Sequence, residues 1–132
     1  MGQKSALDAL LSANISDEKD VYIKRLGTDF RIKSISGEEL QQITDEASSW
    51  VGKGAQRRRV TNDDKLGALV IAKACIDPVF ANAQLLERFG AVSADEVVLK
   101  ALRAGEIAHL SQEIMAISGF SFGDDEVEEV KN

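Results

Sequence analysis

The chain holds one histidine, His109, and one cysteine, Cys75. Acid–base work near neutral pH falls most often to histidine, and covalent or soft-metal chemistry to thiolates. His109 lies off the Ile107–Leu110–Ile114 seam, which places it on the solvent face of a helix. Without a second histidine or a Cys-x-x-Cys pair, a zinc site lacks ligands. Cys75 falls in the most apolar stretch and reads as a small buried residue, not a nucleophile. Glu38, Glu39, Asp63, Asp64, Asp95 and Glu96 cluster at expected helix starts, where capping and the helix dipole account for them. Gly52-Lys53-Gly54 has neither P-loop spacing nor a strand before it. The reading is therefore of no catalytic, cofactor-binding or metal-binding residue, no cofactor, and a non-enzymatic protein.

The remaining chemistry is basic. Arg57-Arg58-Arg59 is the one strong charge run. It reads either as a contact for an acidic protein surface or nucleic acid, or as a solvated loop pairing with the chain's own acidic end. Lys24, Arg31 and Lys33, with Tyr22 beside them, fall on the outer face of an expected hairpin. An acidic partner, or solvation of an edge strand, explains that face. Tyr22, Lys24, Arg31, Lys33, Arg57, Arg58 and Arg59 are thus the candidate partner-binding residues.

Several elements must position them. Ala6, Leu7, Leu10 and Leu11 make a short amphipathic helix that Asn14 could end. Val21 and Ile23 alternate with Tyr22 and Lys24, and Phe30 and Ile32 with Arg31 and Lys33. Gly27-Thr28 would close these strands in a two-residue turn, setting Ile23 opposite Ile32 and Lys24 opposite Arg31. That like-charge pair costs stability. An isolated hairpin is marginal in water, so it must pack on helices, gain strands, or both.

Ser36 and Glu39 form a capping box for a helix whose stripe runs Leu40, Ile43, Ala47 and Trp50. Residues 52–59 read as a loop. Thr61 with Asp64 caps the next helix, apolar nearly all round from Leu66 to Ile76 and ended by Asp77-Pro78. Ala81–Phe89 is a short helix closed by Gly90, and Ser93 with Glu96 caps another. Gly105 separates that one from a final helix with Ile107, Leu110, Ile114 and Ile117. The expected fold is α+β, mostly α: an N-terminal β-hairpin packed on a bundle of about five helices. Residues 1–122 form a single domain, and 123–132 an acidic disordered tail.

Composition narrows the class. At 132 residues, 44% hydrophobic and 5% aromatic, the chain is long enough to bury an aliphatic core. Its formal charge of −6 disfavours nucleic acid as the main partner. A lone cysteine suits a reducing cytosol, and no apolar run approaches a membrane span or signal peptide.

Three runs carry a resemblance. Cys75-Ile76-Asp77-Pro78 ends one helix. Leu85-Leu86-Glu87-Arg88-Phe89-Gly90 leads into Glu96-Val97-Val98-Leu99-Lys100-Ala101-Leu102. Ala104-Gly105-Glu106-Ile107 opens a segment through Leu110 and Ile114 that closes on Ile117-Ser118-Gly119-Phe120. Over residues 5 to 120 the chain resembles the XkdN-like phage tail assembly chaperones of tailed phages and prophages. The resemblance implies binding of the tape measure protein and help with tail tube assembly through the tail tube protein; separately, the marginal hairpin and its exposed edge point to self-association. The resemblance also implies residence in the host cell cytoplasm and absence from the mature virion. The alternative is a small regulatory nucleic-acid-binding protein using the Arg57–Arg59 loop, though no helix begins with a basic recognition face.

Overall fold

A helix that is apolar on every side must be enclosed by the rest of the chain, and here that helix organises the molecule. The structure is a computed structural model and describes residues 5–14 and 16–120. The acidic tail expected at 123–132 lies outside the described residues. In chain order the elements are α1 (Ala6–Ser12), β1 (Glu18–Ile23), β2 (Thr28–Lys33), α2 (Gly37–Glu46), β3 (Ser48–Val51), a 3-10 turn (Gly54–Gln56) and β4 (Arg58–Thr61). Then follow α3 (Asp63–Ala74), β5 (Cys75–Asp77), α4 (Ala83–Phe89), α5 (Ala94–Ala101) and α6 (Ala104–Ile117). This is α+β, mostly α, with the N-terminal hairpin packed on helices.

Helix α3 is the enclosed element. Ala68, Leu69, Val70, Ile71 and Ala74 are all buried, and the helix packs against α2, α5 and α6. Val97 and Val98 from α5 and Leu110 and Ile114 from α6 meet it in one core. The cap is Asn62, whose Oδ1 accepts from Lys65 N at 3.1 Å, in place of the expected Thr61. The helix also ends earlier than Asp77-Pro78 suggests. It stops at Ala74, because Cys75–Asp77 straightens and pairs antiparallel with β2. One continuous segment therefore belongs to the helical core and to the sheet.

That sheet has the order β1-β2-β5. Its inner face carries Val21, Ile23, Phe30 and Ile32, all buried, with Phe80 edge-on to Phe30 at 6.1 Å between ring centroids. The alternation predicted these faces, but the turn differs. Four residues, Lys24 to Gly27, connect the strands, and Gly27 takes φ 66°, where Leu26 and Gly27 N–H both donate to Ile23 O. The register becomes Val21 opposite Phe30 and Asp20 opposite Arg31. The expected Ile23–Ile32 and Lys24–Arg31 pairs do not form. The longer turn slips the pairing by an even number of residues, so every side chain keeps its face while every partner changes.

Four other expectations are corrected. Residues 48–61 are not the end of a helix followed by a loop: they are a second hairpin, β3 with β4. Helix α2 stops at Glu46, so only Leu40, Ile43 and Ala47 of the expected stripe face inward, while Trp50 sits on β3. Gly105 lies inside the first turn of α6 rather than before it. Ser93 does precede α5, but its hydroxyl makes no capping bond; Glu96 reaches back instead and accepts from Val92 N at 3.0 Å. The Ser36–Glu39 capping box forms in both directions, at 3.0 and 3.2 Å.

Ile71, in the last turn of α3, is fully buried. Ile71→Ala is expected to cost about 2–5 kcal/mol, through lost transfer energy and a residual cavity. Urea unfolding measures this as a lower midpoint at unchanged slope.

Candidate partner-binding surface

Each candidate residue comes from one of two hairpins, and the two differ in how their charges are spent. On the outer face of β1–β2 the cross-strand neighbours are Glu18 with Lys33, Asp20 with Arg31, and Tyr22 with Asp29. Opposite charges face each other, which stabilises the ladder. Arg31 donates to Glu18 Oε1 at 2.9 Å and to Asp20 Oδ1 at 3.0 Å, and these bonds raise its pKa further, Asp20 contributing most. The repulsive pair that suggested an acidic partner does not exist, so the case for Arg31 on that ground disappears. Lys24 sits in the turn, exposed, beside exposed Tyr22.

The turn packs over the start of α6. Tyr22, Lys24, Arg25, Arg103, Glu106 and His109 line a groove of about 800 Å³ there. Arg25 grips Glu106 in a two-pronged ion pair, 2.8 Å on each arm, and its guanidinium also donates to Ala101 O. Arg103 N donates to the same carboxylate at 2.8 Å. The Arg25 hydrogen bonds, then that backbone bond, pull the Glu106 carboxyl down to about 2. It is held ionised as a staple between turn and helix, unsuited to carrying a proton at neutral pH. His109 is exposed on this rim, as its spacing predicted. Burial pushes the Cys75 thiol up to about 12, which keeps it protonated and unreactive. Among the described residues no cluster of three His, Cys, Asp or Glu could hold a metal, and no helix is long and apolar enough to cross a membrane.

The β3–β4 hairpin is different. Ser48 pairs with Thr61, Ser49 with Val60, Trp50 with Arg59 and Val51 with Arg58. Alternation puts Trp50 and Arg59 on one face and Val51, Arg58 and Val60 on the other. At its base the Ser48 and Thr61 hydroxyls lie 2.9 Å apart, and Arg59 pairs with Asp45 of α2. Beyond that base neither face is covered. Trp50 is 61% exposed, and Val51 and Val60 are exposed as well. The Arg57 guanidinium lies 4.7 Å from the Trp50 ring centroid, a cation–π contact. No carboxylate among the described residues pairs with Arg57 or Arg58. Gly52, at φ 84°, allows the tip to close; a Cβ there would fall 2.6 Å from Gln56 O.

This hairpin runs directly into a second feature. β4 ends at Thr61 and α3 begins at Asp63, whose first turn rims an open groove of about 560 Å³. Gly67, Leu99, Leu102 and Ile107 supply apolar walls, and Asp63 and Asp64 the acidic rim. Sequence reading found the arginines but missed Trp50 as an exposed group and missed this groove. Trp50 continued the three-four-three stripe of α2, and no local signal marked the break. Helix α1 is also open: it buries no residue, and Leu7, Leu10 and Leu11 are exposed.

A helical bundle braced by a small sheet, with its polar groups used in internal staples and its unpaired cations beside exposed apolar residues, is an interaction scaffold. The chain belongs to the family of phage XkdN-like tail assembly chaperone proteins, whose model matches residues 7–131. It is therefore a tail assembly chaperone, and its partners are phage tail proteins. A crystal structure titled as that of the protein yqbn, a northeast structural genomics consortium target, superposes with a TM-score of 0.64 at 16% identity. The match covers 92% of this chain and all of that one, and shows a shared fold. A comparison with curated proteins found no match.

The Glu106 staple has a pH signature. Its folded-state carboxyl lies below its ordinary 4.5, so the ionised form stabilises the fold above that value. The contribution is lost as pH falls towards about 2. Glu106→Gln is expected to lower the melting temperature at neutral pH and to flatten its fall on acidification through this window. Parallel melting curves for the two chains against pH would contradict the staple.

Proposed function

We infer that the chain binds the tape measure protein during tail assembly, acts without catalysis, and uses the β3–β4 hairpin with its adjoining groove as the recognition surface. The observation that carries this reading is the open hairpin: an exposed tryptophan, two exposed valines and two unpaired arginines stand on an element with no core behind it. Aromatic and arginine side chains are the residue types that anchor protein interfaces. The groove beside it, apolar with an acidic rim, has the character needed for one face of an amphipathic helix. A tape measure protein, expected to be long and helical, offers such faces repeatedly. Covering them with a chain of net charge −6 keeps the complex soluble.

On this reading the tail tube protein is recruited once the tape measure protein is covered. Lys24 and Tyr22 on the first hairpin, with Lys33, form a secondary contact. Arg31 is already satisfied by Glu18 and Asp20. Self-association uses the exposed leucines of α1. The protein works in the host cell cytoplasm and is absent from the mature virion.

Trp50→Ala combined with Arg58→Glu tests the assignment. Both positions are exposed, so folding stability is expected to stay within about 1 kcal/mol of the parent, each surface change contributing about 0.5 or less. Affinity for co-expressed tape measure fragments is expected to fall at least about tenfold, by titration with purified components. Reversing Lys24 and Lys33 in the same assay is expected to cost less. Unchanged affinity in the hairpin double variant, with the parent binding tightly, would place recognition elsewhere.

A further inference from the structure

Two of the hairpin's cations, Arg57 and Arg58, lack carboxylate partners among the described residues, yet the chain carries a dense acidic run. Residues 124–130 read Asp-Asp-Glu-Val-Glu-Glu-Val, five acids and two valines within seven positions. The hairpin presents the converse set: Arg57 and Arg58 unpaired, Trp50 with Val51 and Val60 exposed. Three other arginines meet carboxylates of the described residues, Arg25 with Glu106, Arg31 with Glu18 and Asp20, and Arg59 with Asp45, while Arg88 lies over the Phe89 ring. We propose that the C-terminal segment Asp124–Val130 occupies the β3–β4 hairpin of its own chain, its carboxylates on Arg57 and Arg58 and its valines against the exposed apolar side chains, as an internal competitor for the tail-protein partner.

Reach supports occupation within one chain. Ile35 N donates to Ser118 Oγ at 2.9 Å, so the end of α6 lies against the segment that leads into α2. Helix α2, ten residues long, rises about 15 Å from there. At its far end Asp45 holds Arg59, at the base of the hairpin. The acids lie four to nine residues past Phe120, within about 13–30 Å of extended chain. The rise of α2, the longest leg of that path, falls inside that interval. The contact is electrostatic and exposed, so salt weakens it, and a partner with a larger apolar surface displaces it. A segment tethered this close acts at millimolar effective concentration, enough to shield an adhesive hairpin until a partner arrives. The competitor role rests on the hairpin being the recognition surface; the occupancy does not.

Trp50 is the chain's only tryptophan, so its indole N–H gives a single reporter signal in two-dimensional NMR. The comparison is between the 132-residue chain and the same chain neutralised by Asp124→Asn, Asp125→Asn, Glu126→Gln, Glu128→Gln and Glu129→Gln. At about 0.02 M salt the indole signal of the native chain is expected to differ from that of the neutralised chain. Raising salt to about 0.5 M, where screening shortens to about 4 Å, should move the native signal onto the neutralised one and leave the latter in place. Arg57→Glu with Arg58→Glu should abolish the difference, and lysines at the five tail positions should restore it in that background. Coincident native and neutralised signals at low salt would overturn the proposal. So would a difference that grows with protein concentration, which would mean pairing between copies. Titration with a tape measure fragment separates the two readings: several-fold tighter binding to the neutralised chain supports both. No binding to either chain, with the indole difference intact, sinks the partner assignment and leaves the occupancy standing.

Discussion

Burial of α3 is the constraint on which the rest of the fold depends. From Leu66 to Ala74 only Lys73 breaks the apolar run, and such a stretch cannot rest on one surface; it needs neighbours on all sides. Helices α2, α5 and α6 provide them, each contributing a narrow stripe: Ile43 from α2, Val97 and Val98 from α5, Leu110 and Ile114 from α6. Because α3 passes without a break into β5, its position also fixes where the sheet must form. The β1–β2 hairpin, marginal alone, gains a third strand and a covered face in one step. Phe80, just past β5, then closes on Phe30 from beneath.

With the core arranged in this way, the polar groups divide into two populations. Those near the sheet are consumed in holding the turn and strands: Glu106 on Arg25, Asp20 and Glu18 on Arg31, Glu113 on Lys19. Such surface pairs are individually weak, worth about 0–1 kcal/mol. What they do collectively is fix the first hairpin against α6 and leave little of its charge for a partner. The second hairpin gets no such treatment beyond its base. Its stability comes from four cross-strand pairs, the Ser48–Thr61 contact and the Arg59–Asp45 tie. Its outer half presents an aromatic ring, aliphatic groups and cations together, a combination that costs solubility unless something covers it.

What the sequence made legible follows from periodicity. Faces were readable wherever apolar residues repeated at two or at three-four spacing: Val21, Ile23, Phe30 and Ile32 inward, Ile43 and Ala47 inward, Leu110 and Ile114 inward. Register was not, because Gly27 suits a two-residue or a four-residue connection equally well, and no side-chain pattern distinguishes them when the slip is even. The strands β3 and β5 were hidden for a related reason. Trp50 continues a helical stripe by spacing alone, and Cys75-Ile76 continues an apolar run; in both places tertiary pairing, not local preference, ends the helix. Of the site, the arginine run and Tyr22 were visible as residue types. That Arg31 is neutralised by its own strand partner while Arg58 is not depends on register, which is why the two looked equivalent until the pairing was known.

That difference has a functional logic. A chaperone must bind its partner firmly enough to shield it and release it when assembly proceeds, so its binding energy should not be part of its folding energy. A recognition surface cut from the core would couple the two, and each improvement in binding would be felt in stability. A projecting hairpin avoids this: Trp50 and Arg58 touch nothing that α3 depends on. The drawback of such an element is that, when free, it is adhesive. The proposed acidic cover would offset that at low energetic cost, since a screened ionic contact yields readily to a partner that also buries the tryptophan and valines. Separation of core from contact, and a local charge to cover the contact, are two answers to one requirement: a surface that is available to its partner without being available to everything else.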